Sequence, residues 1–208
     1  MRVSEYDSLK FKMTGLLMET STDQLRLRNR DLRSKLDQKQ LEQAAAAVCE
    51  RICALVEYQQ AQKIAVYFAV NGEIGLTPVI DHALSQGKKI YLPNLDQKTL
   101  RFSPYDHAQK MRINRFKLPE PDVTDDEMLD ARELDLVLAP LVVFDADRNR
   151  IGMGGGFYDR SFAFRKQPEN LKPILIGVAH ELQKVDRIVP QEWDVRLDMI
   201  VTDQAVYS

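Results

Sequence analysis

The 208-residue chain carries 29 lysine and arginine residues against 31 aspartate and glutamate residues, a formal net charge of −2. Because nucleic-acid-binding proteins usually carry a strongly basic footprint, this balance argues against a nucleic-acid partner. The hydrophobic share of 44% is typical of a soluble globular protein, and no apolar run approaches the length of a membrane span.

The first twenty residues do not have the pattern of an export signal. The apolar stretch Met13–Met18 is too short for a signal-peptide core, and no small-residue cleavage site follows it. We therefore expect a loosely ordered N-terminal extension over residues 1–20, a single α/β domain over residues 21–208, a cytoplasmic location and a monomer.

Two helices are predicted next. The first covers residues 21–35, with Ser21 or Thr22 as its cap, and three of its arginines share one face: Arg26, Arg30 and Arg33. Charge alone favours a solvated face for these arginines. The second helix runs from Gln38 to about Tyr58, after a capping box at its start.

A strand–helix–strand unit follows. The first strand covers Lys63–Val70, the helix begins with Thr77 as its cap and ends at about Gln86, and the second strand is Lys89–Leu92. Short links of this kind predict a parallel pair of strands. Glu73 lies at the carboxyl end of the first strand, where α/β sheets gather their ligands.

Further strands complete the sheet. Thr99–Ser103 is a short strand suited to a sheet edge, and residues 114–121 are extended because of their prolines. Buried strands are predicted at Leu134–Phe144, Lys172–Val178 and Asp198–Thr202, the last being the final strand. The expected fold is therefore α/β: a three-layer domain with a mainly parallel central sheet flanked by helices.

Residues 150–160 are rich in glycine. Four of the nine glycines lie here within five residues, between the apolar run that ends at Phe144 and a helix predicted over Tyr158–Lys166. Glycines at a helix start allow backbone N–H groups to converge on an anion, and a phosphate suits such a loop. Asp159 could hold a magnesium ion that bridges phosphate oxygens. The alternative is a plain tight turn, which rarely needs more than two glycines.

Two common phosphate-binding motifs do not fit this loop. No Gly-Lys-Ser or Gly-Lys-Thr sequence is present, so it is not a P-loop. The dinucleotide-binding pattern needs a third glycine where Phe157 stands. Residues 152–160 instead resemble the signature of the 5-formyltetrahydrofolate cyclo-ligases, also called methenyltetrahydrofolate synthetases, and the resemblance extends from about Leu25 to the C-terminus.

This resemblance implies an enzyme that uses ATP, with Mg²⁺, to convert 5-formyltetrahydrofolate to 5,10-methenyltetrahydrofolate, ADP and phosphate. It implies catalytic roles for Tyr158 and Arg26 and metal ligation by Asp159 and Asp194. The implied ATP-binding residues are Arg26, Arg150, Ile151, Gly152, Met153, Gly154, Gly155, Gly156, Phe157 and Tyr158. The implied folate-binding residues are Phe68, Glu73, Met153, Gly154, Gly155, Gly156 and Phe157.

The sequence also departs from the family pattern. Thr22 stands where the family prefers a basic residue, and the loop lacks basic residues that some members carry at Met153 and Gly155. Arg115, Lys117 and Arg160 are candidates to compensate. Two rival classes stay open: another enzyme on a related scaffold, such as a sugar-phosphate isomerase or CoA transferase, and a folate- or nucleotide-binding regulator without turnover.

Overall fold

A computed structural model describes residues 21–114, 119–167 and 169–208. The predicted N-terminal extension and the candidates Arg115 and Lys117 lie outside the described residues. The α-helices are α1 Thr22–Ser34, α2 Gln38–Ala54, α3 Val56–Gln60, α4 Thr77–Ser85 and α5 Phe157–Ser161. The strands are β1 Lys63–Ala65, β2 Lys89–Asp96, β3 Thr99–Tyr105, β4 Met111–Ile113, β5 Pro119–Pro121, β6 Leu136–Pro140, β7 Val143–Phe144, β8 Arg150–Ile151, β9 Ile174–Ala179, β10 Met199–Thr202 and β11 Val206–Tyr207.

Seven of the strands form one central sheet in the order β11-β10-β9-β6-β1-β2-β3. The five inner strands run parallel, whereas β3 and β11 pair antiparallel with their neighbours at the two edges. This arrangement confirms the predicted α/β class, the parallel β1–β2 pair and the edge position of β3. The edge strand β11 was not predicted.

Both faces of the sheet are covered, because successive side chains of each strand point to opposite sides. Ile64 packs in a cluster with residues of α2 and α4, such as Val48 and Val79. Its neighbour Ala65 belongs to a second cluster on the other face, which includes Phe162 beyond the end of α5. The layers are therefore helix, sheet, and a thinner layer of α5 and 3-10 turns. Within the described residues, no helix is long and apolar enough to cross a membrane.

Several predicted boundaries were wrong. The first strand ends at Ala65 and not at Val70, although the next residues stay buried. The apolar run Leu134–Phe144 is divided between β6 and β7, because β7 leaves the sheet to form a hairpin with β8. Burial alone does not separate these outcomes, since an apolar residue can be buried in a sheet or beside it.

Three helix predictions also need correction. The helix from Gln38 ends at Ala54, since Leu55 adopts extended backbone angles before α3 begins. Thr77 is the first residue of α4 and not its cap; the cap position belongs to Leu76. The helix predicted over Tyr158–Lys166 is α5 followed by a separate 3-10 turn, Ala163–Lys166.

The sheet has a topological switch point between β1 and β6. From β1 the chain crosses through α4 to β2 on one side, whereas from β6 it continues to β9 on the other side. Connections that diverge in this way leave a crevice at the carboxyl ends of the two strands, and α/β sheets bind ligands there. The turn at Glu73 follows β1, and the hairpin that carries the glycine loop follows β6.

Candidate active site

The glycine loop joins β8 to α5 through backbone angles that favour glycine. Gly154 has φ +96° and Gly156 has φ +64°. Gly156 also occupies the cap position of α5. Residues with a Cβ rarely adopt these angles, so the loop depends on glycine at both positions. Met153, at the tip of the loop, is 53% exposed, so this part of the loop faces solvent.

Helix α1 brings Arg26 onto this loop. Its Nε donates a hydrogen bond to the carbonyl oxygen of Gly152 at 2.8 Å, and its Nη1 pairs with Asp23 at 2.7 Å. A Cβ placed on Gly154 would lie 3.7 Å from the guanidinium carbon of Arg26. Ser21 starts the helix as the cap of a capping box closed by Gln24. The loop therefore carries a fixed positive charge supplied by a helix that is remote in sequence.

Arg150 ties the loop to the segment near the end of the chain. Its Nη2 pairs with Asp159 Oδ1 at 2.6 Å, and its Nη1 donates to the carbonyl oxygen of Val195. The N–H of Val195 donates to the same Asp159 oxygen at 3.1 Å. Asp159 thus lies beside the backbone of the residue after Asp194, whose own Oδ2 accepts from the N–H of Gln191 at 2.8 Å.

The pair Asp159 and Asp194 offers oxygen ligands of the kind that Mg²⁺ prefers. In the described parts of the chain, no group of three or more His, Cys, Asp and Glu side chains is arranged to hold a metal. Magnesium commonly binds through one or two carboxylates together with substrate phosphates and water. The two aspartates therefore fit a magnesium site that is completed by a phosphate ligand. They are too few for a magnesium site made of protein ligands alone.

Arg160 braces the loop from its outer side. Its Nε donates to the carbonyl oxygen of Lys98 at 2.6 Å, and its Nη2 donates to that of Gly155 at 2.6 Å. The guanidinium also lies over the Phe157 ring, 5.2 Å from its centre. These contacts direct Arg160 toward backbone carbonyls.

Glu73 lies in the turn after β1 and is paired with Arg33. Its side chain is 8% exposed, Oε2 accepts from the N–H of Val70 at 3.1 Å, and Oε1 lies 3.6 Å from Arg33 Nη1. Arg33 is fully buried and also donates to the carbonyl oxygen of Leu141 at 3.2 Å. The prediction of a solvated arginine face was therefore wrong for Arg33. Burial raises the pKa of Glu73, although the Val70 N–H and the Arg33 charge oppose that rise.

Tyr158 links this turn to the glycine loop. Burial raises the pKa of its phenol, and the negative charge of Glu73 raises it further, so the hydroxyl stays protonated at neutral pH. Its ring stacks on Phe162 with the ring centres 6.1 Å apart. Phe68 packs elsewhere, against β3: its ring meets that of Tyr105 edge-on, with the ring centres 5.3 Å apart.

The structure brings Arg26 against Gly152 and Gly154, and Asp159 against Arg150, as neighbours within one site. Sequence reasoning missed the role of Arg33 and of His180, whose Nε2 lies 3.0 Å from the carbonyl oxygen of Gly72. The only sequence signal for Arg33 was its place on the same helix face as Arg26. No local signal marks His180.

The fold and the site together define an α/β protein with a glycine-rich loop beside a sheet switch point. A model of the 5-formyltetrahydrofolate cyclo-ligase family matches residues 18–203. The 5-formyltetrahydrofolate cyclo-ligase of Haemophilus influenzae is 37% identical over 182 residues, which cover 86% of this chain and 96% of the relative. That of Escherichia coli K12 is 33% identical over 187 residues, covering 88% and 99%.

A solved structure gives the same assignment. The 5,10-methenyltetrahydrofolate synthetase of Aquifex aeolicus superimposes with a TM-score of 0.76 at 26% identity, over 89% of this chain and 91% of that one. The chain belongs to the 5-formyltetrahydrofolate cyclo-ligase family. The family resemblance and the α/β fold predicted from the sequence are therefore confirmed.

Proposed function

We propose that this chain converts 5-formyltetrahydrofolate to 5,10-methenyltetrahydrofolate at the expense of ATP, releasing ADP and phosphate. The observation that carries the proposal is the glycine loop with Arg26 held on it, beside the turn that contains Glu73. Family membership supports the same reaction. The loop supplies N–H groups and a positive charge for phosphates, and the turn supplies a carboxylate for a second ligand.

The formyl group needs activation because the carbonyl oxygen of an N-formyl group is a poor leaving group. Transfer of the γ-phosphoryl group of ATP to that oxygen releases ADP and gives an iminium phosphate. The N10 nitrogen then attacks the activated carbon and loses its proton, the carbon–oxygen bond breaks, and phosphate departs. Phosphoryl transfer depends mainly on positioning and charge neutralisation. Arg26 and the loop N–H groups, from Arg150 to Tyr158, are proposed to provide both.

The folate is proposed to lie between the turn after β1 and the loop. Glu73 can accept adjacent N–H donors from a pterin ring through its two carboxylate oxygens. Phe68 offers a half-buried aromatic face, and residues 153–157 border the reacting end. Tyr158 is proposed as a hydrogen-bond donor or stacking partner at the reacting centre, since its phenol stays protonated.

Asp159 and Asp194 are the residues proposed to hold Mg²⁺. When bound, the ion would neutralise phosphate charge. Arg150 and the Val195 N–H contact one oxygen of Asp159, which keeps that carboxylate in place. We further propose a monomer in the cytoplasm, without nucleic-acid or membrane partners. The family match begins at residue 18, near the proposed boundary between an N-terminal extension and the domain.

The experiment is a turnover assay with Mg-ATP and 5-formyltetrahydrofolate. We expect the near-ultraviolet absorbance of methenyltetrahydrofolate to appear together with equimolar ADP and phosphate. A sugar-phosphate isomerase or CoA transferase would give no ADP here, and a regulator would bind the ligands without turnover. The matched variants are Arg26→Gln, which should lose most activity, and Arg28→Gln, an exposed arginine on the same helix that should keep it. No absorbance change and no ADP from the parent protein would exclude the reaction.

A further inference from the structure

We propose that the protein has a second anion site, separate from the glycine loop, which binds inorganic phosphate or a phosphate monoester. The site is a cleft of about 570 Å³ at the side of the sheet where α5 and the 3-10 turns lie. Its walls carry six charged side chains: Arg148, Arg165, Lys166, Arg196, Asp194 and Asp198. No residue of the glycine loop lines it, and Asp194 is the one lining residue that is also proposed as a magnesium ligand.

The lining of the cleft is positively charged overall. Four cations and two carboxylates line the cleft, a balance of +2 (4 − 2), in a chain whose total charge is −2. One carboxylate, Asp198, is committed to a two-point pair with Arg165 at 2.7 and 2.8 Å. Lys166 Nζ donates to the carbonyl oxygen of Glu192, and Arg196 Nε donates to that of Asp147 at 2.7 Å, so both are held by neutral acceptors and keep their positive charge. Of the carboxylates that line the cleft in the described part of the chain, Asp194 alone is left to offset these two cations and Arg148. Positive potential focused in a cleft attracts anions.

The backbone of Arg148 has an unusual conformation. This residue has φ +68°, a left-handed conformation that costs a side chain about 1–2 kcal/mol and that glycine or asparagine adopt more easily. The turn is fixed by Asp145, a buried carboxylate that accepts from the N–H groups of Asn149 at 2.9 Å and Ile188 at 2.8 Å. The turn thus does not depend on an arginine. Strain kept in this way points to a role for the side chain.

Two of the arginines that line the cleft each have a nitrogen atom without a hydrogen-bond acceptor among the described residues. The Nε atoms of Arg148 and Arg165 are buried, and nothing in the described part of the chain accepts a hydrogen bond from either. Buried polar groups normally have partners, and each exception needs an explanation. Because both Nε atoms are closed to solvent, an acceptor can reach them only after the guanidinium groups turn toward the cleft. A phosphate there would supply charged acceptor oxygens, and arginine has the fork geometry that matches phosphate.

The cleft also has a structural link to the candidate active site. Val195 is one of its lining residues, and the backbone of Val195 also contacts both Asp159 and Arg150. An anion that orders this segment would therefore also order the carboxylate at the glycine loop. The binding proposal itself does not depend on the proposed reaction.

The test is a phosphate titration of the full chain, followed by the fluorescence of Trp193. This residue is the only tryptophan, is 67% exposed and precedes Asp194 in the chain. The buffer contains no magnesium and is held at constant ionic strength with chloride. We expect a saturable signal from the parent. Arg148→Gly should weaken phosphate binding at least tenfold, while its melting temperature stays equal or rises because the left-handed strain is removed.

Matched variants separate the possible causes. Gln97→Gly relieves another positive φ angle, +50°, without a change of charge, and Arg28→Gln removes one exposed charge; both should bind phosphate like the parent. Arg26→Gln should also keep the signal, even if it abolishes turnover. The proposal is overturned if Arg148→Gly binds phosphate normally, or if Arg26→Gln loses the signal. Parallel titrations with phenyl phosphate decide between the free ion and a monoester by which of them binds more tightly.

Discussion

Substitution of Gly154 by alanine tests whether the loop is a ligand site or a plain turn. The new Cβ would meet the Arg26 guanidinium at 3.7 to 3.9 Å, which is ordinary contact. Space is therefore available, and the penalty comes from φ +96°. Gly87, at the end of α4, is a matched control, because it also has a positive φ angle, +72°, and open space for a Cβ, but lies outside the loop.

The expected cost of Gly154→Ala follows from that geometry. Holding an L-residue at a left-handed angle costs about 1–2 kcal/mol, and for a chain of this length each kcal/mol lowers the melting temperature by roughly 2–4 °C. We therefore expect a fall of about 2–8 °C. Turnover should fall much further, at least tenfold, because a displaced loop misplaces the N–H groups that would stabilise the transferring phosphoryl group.

The assay measures melting and turnover on the same samples of both variants. Turnover is expressed per folded molecule, so that a loss of stability does not count as a loss of catalysis. Gly87→Ala should lower the melting temperature by a similar amount and retain most activity. A Gly154→Ala protein that melts lower but turns over normally would place the loop among ordinary turns and remove the main support for ATP binding there.

Three further outcomes are expected. Glu73→Gln should weaken folate binding roughly ten- to a hundredfold, since a charged hydrogen bond contributes about 1.5–3 kcal/mol, while ATP affinity measured by calorimetry should barely change. Because burial raises the pKa of Glu73, folate affinity should rise as pH passes upward through that pKa. The free energy of unfolding should fall over the same interval, since the native state holds the proton more tightly than the unfolded state does. Glu73→Gln should flatten both profiles. Asp159→Asn should raise the magnesium concentration needed for half-maximal turnover without loss of the folded circular-dichroism spectrum; an unchanged magnesium curve would contradict its role.

Much of the fold could be predicted because the signals are local. The predicted cap at Ser21 and the capping box at Asp37 are present, the β1–α4–β2 unit is parallel, and the glycines lie between a strand and a helix. Each of these features depends on residues that are neighbours in sequence. The run Leu134–Phe144 shows the limit, since the same apolar residues serve a sheet strand and a hairpin strand with equal burial.

The rest of the site depends on distant contacts. Arg33 is buried because its helix packs where the carbonyl oxygen of Leu141 and the carboxylate of Glu73 come within reach. Asp145 begins a polar stretch, Asp145–Asn149, yet its carboxylate is buried and accepts a hydrogen bond from the N–H of Ile188. These contacts join residues that are far apart in sequence, so the pattern of charges along one helix or turn could not predict them.

The switch point between β1 and β6 has a consequence for folding. One wall of the crevice follows β1 and the other follows β6, so neither half of the chain contains the whole site. The site therefore comes into existence only when these two strands pair, which is a non-local event in the search for the native state. A ligand that needs both walls cannot bind a partly folded chain. It therefore stabilises only the complete fold, and at a concentration of a hundred times its Kd it raises the free energy of unfolding by about 2.7 kcal/mol.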